Sequence, residues 1–142
     1  MSAGFDFGKE MTVLVVDDNP QVVSLTKHML LEMGVSQVFT AKDGHEALDF
    51  ISMFGENDID VVLCDWNMPR VSGLEVLKQI RTVDADIPFL MVTGVSDYNS
   101  VMQCKALGIT GYIKKPFSKD DLRRKMQTVA HIITHRKKNA VH

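Results

Sequence analysis

The sequence lacks the features that mark extracellular, membrane-spanning or nucleic-acid-binding proteins. Its 142 residues include two cysteines, too few to suggest a disulfide framework or a zinc knuckle. No apolar run approaches the ~20 residues of a transmembrane helix, and residues 1–10 show no basic segment followed by an apolar one. The net charge of −2 gives no overall electrostatic attraction to nucleic acid or anionic membrane. We therefore expect a cytoplasmic protein that binds neither.

Strand-like and helix-like segments alternate along the chain. Short β-branched runs predict strands at residues 12–16, 37–41, 61–64, 89–92 and 111–113. Between these runs, apolar residues recur every three or four positions, which is typical of one face of a helix. Five strand–helix units joined by short links predict a doubly wound α/β sandwich on a parallel sheet. We expect one domain over residues 11–135, with a loose tail at residues 1–10 and a basic tail at residues 136–142.

Helix limits are indicated by capping residues. Pro20 suits the first turn of the first helix, and Gly34 suits its end. A fourth helix is expected over residues 99–107. Four side chains are candidates for helix N-caps: Asp18, Asp43, Ser72 and Ser118.

Charged residues follow three of the predicted strands. Asp17 and Asp18 come after the first strand, Asp65 after the third, and Lys115 closely follows the fifth. In open parallel sheets, ligands bind beyond the carboxyl ends of the strands. Carboxylates that meet there repel one another unless a cation or a proton compensates them. Because their oxygens are hard ligands, we expect a Mg²⁺ site, with Mn²⁺ as an alternative ion.

Four sequence elements, in the same order and spacing, resemble the receiver domain of two-component response regulators. They are the pair Asp17-Asp18, the run Asp65-Trp66-Asn67-Met68-Pro69 with Gly73, the pair Thr93-Gly94, and Lys115-Pro116-Phe117. The second run looks especially like that of stand-alone chemotaxis receivers. The resemblance spans about residues 11–135 and implies a flavodoxin-like (βα)5 fold with strand order 2-1-3-4-5.

The resemblance also implies a role for each matching residue. Asp65 would take a phosphoryl group from the phosphohistidine of a sensor histidine kinase or a histidine phosphotransfer protein. Asp18 would bind Mg²⁺ directly, Asp17 through a water, and Asn67 through its backbone carbonyl. Lys115, which precedes a proline expected in cis linkage, and Thr93 would contact the phosphoryl group. Phosphoryl transfer depends mainly on charge neutralisation and positioning, which agrees with these roles.

Three further positions bear on signalling in the resembled family. Tyr112 stands at the switch-aromatic position, although an ordinary strand tyrosine with a solvated hydroxyl is an alternative. A downstream target protein is expected to bind a surface within residues 99–125. Asn67 and Val95 would frame the approach of hydrolytic water. Because Val95 is apolar and Asn67 cannot accept a proton, we expect slow self-dephosphorylation.

Alternative functions are distinguished by individual residues. The chain could be a fragment of a larger regulator or a phosphorelay intermediate rather than a stand-alone receiver. A Mg²⁺-dependent aspartyl phosphatase usually has a second aspartate two residues after its nucleophile, where Asn67 stands here. A flavodoxin-like electron carrier needs a phosphate-cradling loop where this chain has Asp17 and Asp18. We therefore expect a signalling receiver, not an enzyme with a separate substrate.

Overall fold

Strands and helices alternate along the whole described part of the chain. The computed structural model describes residues 11–54, 59–84, 86–94 and 98–140. The strands are β1 (Thr12–Val16), β2 (Gln37–Ala41), β3 (Val61–Asp65), β4 (Phe89–Thr93) and β5 (Gly111–Lys114). The helices are α1 (Pro20–Glu32), α2 (Gly44–Phe54), α3 (Gly73–Val83), α4 (Tyr98–Ala106) and α5 (Lys119–Ala140).

The five strands form one parallel sheet in the order β2-β1-β3-β4-β5, as the family resemblance implied. Every residue of β3 and β4 is buried. Strands covered on both faces need apolar side chains on both, which explains why the first four residues of each are apolar. None of the helices among the described residues combines the length and apolarity needed to cross a membrane.

The hydrophobic core lies on both faces of the sheet. Successive residues of β1 contribute to opposite faces, because side chains alternate along a strand: Val13 and Val15 join one cluster, and Leu14 and Val16 the other. The first cluster packs the sheet against α1 and α5, and the second packs it against α2, α3 and α4. The doubly wound sandwich predicted from the sequence is confirmed.

Side-chain caps begin several helices, mostly as predicted. The Asp43 carboxylate accepts a hydrogen bond from the Glu46 amide at 2.9 Å, and Ser72 caps α3. Ser118 caps α5 in a reciprocal pair with Asp121. The cap of α1 differs, because Asn19, rather than Asp18, accepts from the amides that open the helix. Asp18 is therefore left exposed and available for another role.

The last helix is longer than the sequence pattern indicated. We predicted a basic tail from residue 136, but the α5 backbone continues past His135 to Ala140. No glycine or proline occurs in residues 136–140, and the arginine and two lysines there are good helix formers. The helix therefore has no local reason to end at His135.

One arginine joins three segments at the amino-terminal edge of the sheet. The Arg81 guanidinium donates to the carbonyl oxygens of Ile87 at 2.9 Å and Gly108 at 2.8 Å. Longer hydrogen bonds of 3.3 Å reach the carbonyls of Asp84 and Leu107. The side chain thus connects the ends of α3 and α4 to the segment that enters β4. A cation is favourable at these two helix C-termini.

Replacing Arg81 should destabilise the fold. Arg81→Ala leaves several partly buried carbonyls without their charged donor, so we expect the free energy of unfolding to fall by about 2 kcal/mol. Arg81→Lys should recover only part of this loss, because an ammonium lacks the planar fork of a guanidinium. Urea unfolding measures both, with the exposed Arg124→Ala as control. Equal unfolding midpoints for Arg81→Ala and Arg124→Ala would contradict this role.

Candidate functional site

Four strands deliver polar residues to one edge of the sheet. β1 ends immediately before Asp17, β3 ends at Asp65, β4 ends at Thr93, and β5 ends immediately before Lys115. The register places Asp65 beside Val92 and Thr93 beside Lys114, so these strand ends are level with one another. The sheet order therefore brings residues far apart in sequence to a single location.

Three carboxylates meet at this edge. Asp17, Asp18 and Asp65 each offer an oxygen, and these oxygens lie within 4.8 Å of one another. Asp17 is 4% exposed and Asp65 is 6% exposed, whereas Asp18 is open to solvent. Hard carboxylate oxygens suit Mg²⁺, and an exposed member leaves room for the waters that this ion usually keeps. The residues therefore fit the metal site expected from the sequence.

One ammonium bridges the two buried carboxylates. The Lys115 Nζ lies 3.2 Å from Asp17 Oδ2 and 3.2 Å from Asp65 Oδ1. The Lys115 backbone amide donates to the Thr93 carbonyl at 2.7 Å, which ties it to the end of β4. The following peptide bond to Pro116 is cis, as expected. Lys115 is therefore the lysine of the site, while its neighbour Lys114 is exposed at the end of β5.

Burial and charge shift the ionisation of the central pair. Burial raises the pKa of Asp65, the Asp17 carboxylate raises it further, and Lys115 offsets only part of the shift. Burial alone would lower the pKa of Lys115, but the Asp65 and Asp17 carboxylates together outweigh it and raise that pKa. Lys115 is therefore held as a cation, whereas Asp65 is less easily ionised than an ordinary aspartate.

The remaining predicted residues differ in their exposure. Thr93 is buried at 7% exposure, and Asn67 is exposed beyond β3. A side chain added at Gly94 would meet no atom of the described residues within 4 Å. Tyr112 is 43% exposed, and the Lys125 Nζ lies 5.7 Å from its ring centroid. Val95 lies outside the described residues.

Asn19 takes part in the site in a way that the sequence reasoning missed. Its backbone amide donates to Asp17 Oδ1 at 2.9 Å, while its side-chain oxygen caps α1. The residue thus fixes Asp17 from the start of the helix. The available signal was an asparagine directly before a proline, a pairing typical of an N-cap followed by the first helical residue.

The buried Cys64 contacts the main chain of the central aspartate. Its Sγ lies 3.4 Å from the Asp65 carbonyl oxygen. Burial raises the pKa of this thiol well above its ordinary value, and the Asp65 and Asp17 carboxylates raise it further. A thiol held neutral in this way is a poor nucleophile, so Cys64 acts as a small core residue.

Comparison with known proteins shows that this chain is a phosphorylation-activated signalling receiver. The chain belongs to the response regulator receiver domain family, whose model matches residues 13–127. Chemotaxis protein CheY-3 of Vibrio cholerae is 33% identical over 123 residues, which are 85% of this chain and 92% of that protein. The CheY homolog of Campylobacter jejuni is 35% identical over 121 residues, covering 84% and 92% of the two chains.

Solved structures show the same architecture. Chemotaxis protein CheY4 of Vibrio cholerae has a TM-score of 0.78 and 33% identity, over 85% of this chain and 99% of that one. Response regulator TrrA of Thermotoga maritima, solved with Mg²⁺ and BeF, has a TM-score of 0.73 and 35% identity. That match covers 84% of this chain and 98% of TrrA. These relatives favour a receiver over the aspartyl phosphatase and electron-carrier alternatives.

The raised pKa of Asp65 predicts a change in stability when its charge is removed. A carboxyl whose pKa is raised by folding stabilises the protein at low pH, and this contribution is lost as the pH rises through the folded-state value. We therefore expect Asp65→Asn to increase the free energy of unfolding at pH 7 in the presence of EDTA. Urea unfolding measures this, with the exposed Asp120→Asn as control. A variant less stable than the wild type would contradict the account.

Proposed function

We propose that Asp65 is the phosphoacceptor of this receiver. The observation that supports this role most strongly is the position of Lys115, whose ammonium lies 3.2 Å from both buried carboxylates. Asp65 also lies on the middle strand of the sheet, β3, which is flanked by β1 and β4. An ammonium at this position can stay in contact with the Asp65 oxygen during the reaction. It can also stabilise the negative charge on the phosphoryl oxygens.

The reaction is an in-line displacement at phosphorus. A carboxylate oxygen of Asp65 forms a bond to the phosphorus of a phosphohistidine, and the bond from phosphorus to the imidazole nitrogen breaks. The imidazole leaves with the electron pair, and Asp65 becomes an acyl phosphate. Lys115 and the Thr93 hydroxyl hold the transferred phosphoryl oxygens. Positioning and charge, rather than proton removal, are what the protein provides.

The three aspartates would hold the divalent cation that this transfer requires. Asp18 and Asp65 would bind Mg²⁺ or Mn²⁺ directly, together with the Asn67 backbone carbonyl, and Asp17 would act through a water. When bound, the ion supplies positive charge that offsets the negative charge of the phosphoryl group. Asp18 is the exposed member of the cluster, which suits a ligand that the ion reaches from solvent.

The partners follow from the same proposal. A sensor histidine kinase or histidine phosphotransfer protein donates the phosphoryl group, and a downstream target binds within residues 99–125. Thr93 and Tyr112 would link the site to that surface. Thr93 lies beside Lys114 of β5, and Tyr112 belongs to the same strand. Contact with the phosphoryl group would draw Thr93 inward and let Tyr112 follow from its exposed position.

The phosphoacceptor is tested with acetyl phosphate as the donor. We expect phosphorylation of the wild type only with Mg²⁺, none in Asp65→Asn, and weaker Mg²⁺ binding in Asp18→Ala than in Asp17→Ala. Phosphate-affinity electrophoresis measures the modification, and Trp66 fluorescence measures metal binding beside Asp65. Asp120→Asn, a change on the exposed part of α5, serves as the control. Stoichiometric Mg²⁺-dependent phosphorylation of Asp65→Asn would refute the assignment.

The lifetime of the phosphorylated state tests the roles of Asn67 and Val95. Val95→Glu should accelerate loss of phosphate by placing a water-binding group beside the acyl phosphate, and Asn67→Ala should have a smaller effect. The decay is followed after removal of the donor. Val83→Glu is a matched control, because Val83 lies at the exposed end of α3. An unchanged or longer half-life of the phosphorylated Val95→Glu variant would contradict the proposed role of Val95 in limiting the access of water.

A further inference from the structure

Helix α3 begins directly against the main chain that carries the phosphoacceptor. Its first residue, Gly73, is buried. The Gly73 amide donates to the carbonyl of Trp66 at 2.9 Å, so the start of the helix is fastened to the end of β3. Gly73 belongs to the sequence run that resembles the receiver family, but the proposed chemistry gives it no role.

The contact leaves no space for a side chain at this position. A Cβ on Gly73 would lie 2.5 Å from the carbonyl oxygen of Asp65 and 2.9 Å from the Cα of Trp66. It would also lie 2.8 Å from the sulfur of Met91. The Met91 side chain can move aside. The Asp65 carbonyl oxygen and the Trp66 Cα belong to the main chain, so a shift of either atom also displaces Asp65.

The same carbonyl also has a second neighbour. The Cys64 Sγ lies 3.4 Å from the Asp65 oxygen, and Cys64 is fully buried. The next amide, that of Trp66, donates to the Val92 carbonyl at 2.7 Å and fixes this segment against β4. The peptide group after Asp65 is therefore held by a thiol, a neighbouring strand and the start of α3.

We propose that Gly73 is a positioning residue for phosphoryl transfer. Its lack of a side chain lets α3 pack directly against the backbone of Asp65, and this contact sets where the Asp65 carboxylate meets Lys115. The inference rests on the proposed role of Asp65 as phosphoacceptor. Displacement of a reacting group by about 1 Å can cost on the order of a hundredfold in rate, so a backbone shift here is sufficient to impair the reaction.

Gly44 provides a matched control for the crowding itself. A Cβ there would lie 2.7 Å and 2.8 Å from side-chain atoms of Val71 and Val76, between α2 and α3. The clash is similar in distance, but no atom of the phosphoacceptor takes part. Gly44→Ala therefore shows how much crowding alone lowers the phosphorylation rate and the free energy of unfolding. Gly73→Ala shows the effect of crowding together with displacement of Asp65.

The experiment measures phosphorylation by acetyl phosphate at saturating Mg²⁺ as a function of donor concentration. We expect Gly73→Ala to lower the maximal rate about tenfold or more, with little change in the donor concentration that gives half the maximal rate. Gly44→Ala should stay within about twofold of the wild type. Urea unfolding of both variants separately measures their loss in free energy of unfolding.

A double variant separates the Asp65 contact from the Met91 contact. The rate of Gly73→Ala/Met91→Ala is compared with that of Met91→Ala alone. We expect the tenfold loss to persist, because shortening Met91 does not relieve the main-chain clash. Recovery to the rate of Met91→Ala would overturn the inference, as would equal rate losses in Gly73→Ala and Gly44→Ala.

Failure of the proposed function gives a different result. A wild-type protein that takes no phosphoryl group refutes the role of Asp65, and the positioning role falls with it. A wild type that is phosphorylated at Asp65, together with a Gly73→Ala variant of normal rate, refutes the positioning role alone.

Discussion

Three carboxylates repel one another at the end of the sheet, and one lysine relieves this repulsion only in part. Asp17, Asp18 and Asp65 place oxygens within 4.8 Å of one another, and Lys115 contacts two of them. When all four groups are ionised, three negative charges and one positive charge leave two negative charges. A divalent cation matches this excess, and an approaching phosphoryl group needs the same compensation. The arrangement thus favours metal-dependent chemistry with anions.

The parallel sheet makes this concentration of charge possible. β1, β3 and β4 are pinned by apolar side chains on both faces, and Ile113 holds β5 to the core on one face, so the strand ends cannot separate to relieve the repulsion. The apolar packing that stabilises the fold lies between the sheet and the helices, whereas the charged residues of the site lie at the carboxyl ends of the strands. At the opposite edge, Arg81 holds the ends of α3 and α4. Stability and reactivity are therefore supplied by different ends of the same strands.

Much of the fold was predictable from the sequence because its signals are local. β-Branched runs gave the strand positions, and Asp43 and Ser118 gave helix starts. The limits of β3, β4 and β5 were each predicted one residue short, because Asp65, Thr93 and Lys114 are polar and interrupt the apolar pattern. These strands extend to polar residues since backbone pairing, not hydrophobicity, determines where a strand ends.

The clustering of charged residues was predictable from the sequence, but the contacts that support it were not. Asp17, Asp65 and Lys115 follow strands, and the order of the sheet then requires them to meet. Asp18 was a candidate cap of α1, although the pair Asn19-Pro20 already indicated Asn19, the residue that caps the helix. The close approach of Gly73 to Asp65 depends on how α3 packs, which no local pattern records.

Chemical trapping can identify the residue to which the cluster directs a phosphoryl group, which we propose is Asp65. Borohydride reduces an aspartyl phosphate to homoserine, and peptide mass spectrometry then locates the altered residue. After incubation with acetyl phosphate and Mg²⁺, we expect homoserine at position 65. Homoserine at position 17 or 18, or phosphate retained on a serine or threonine with position 65 unchanged, would contradict it.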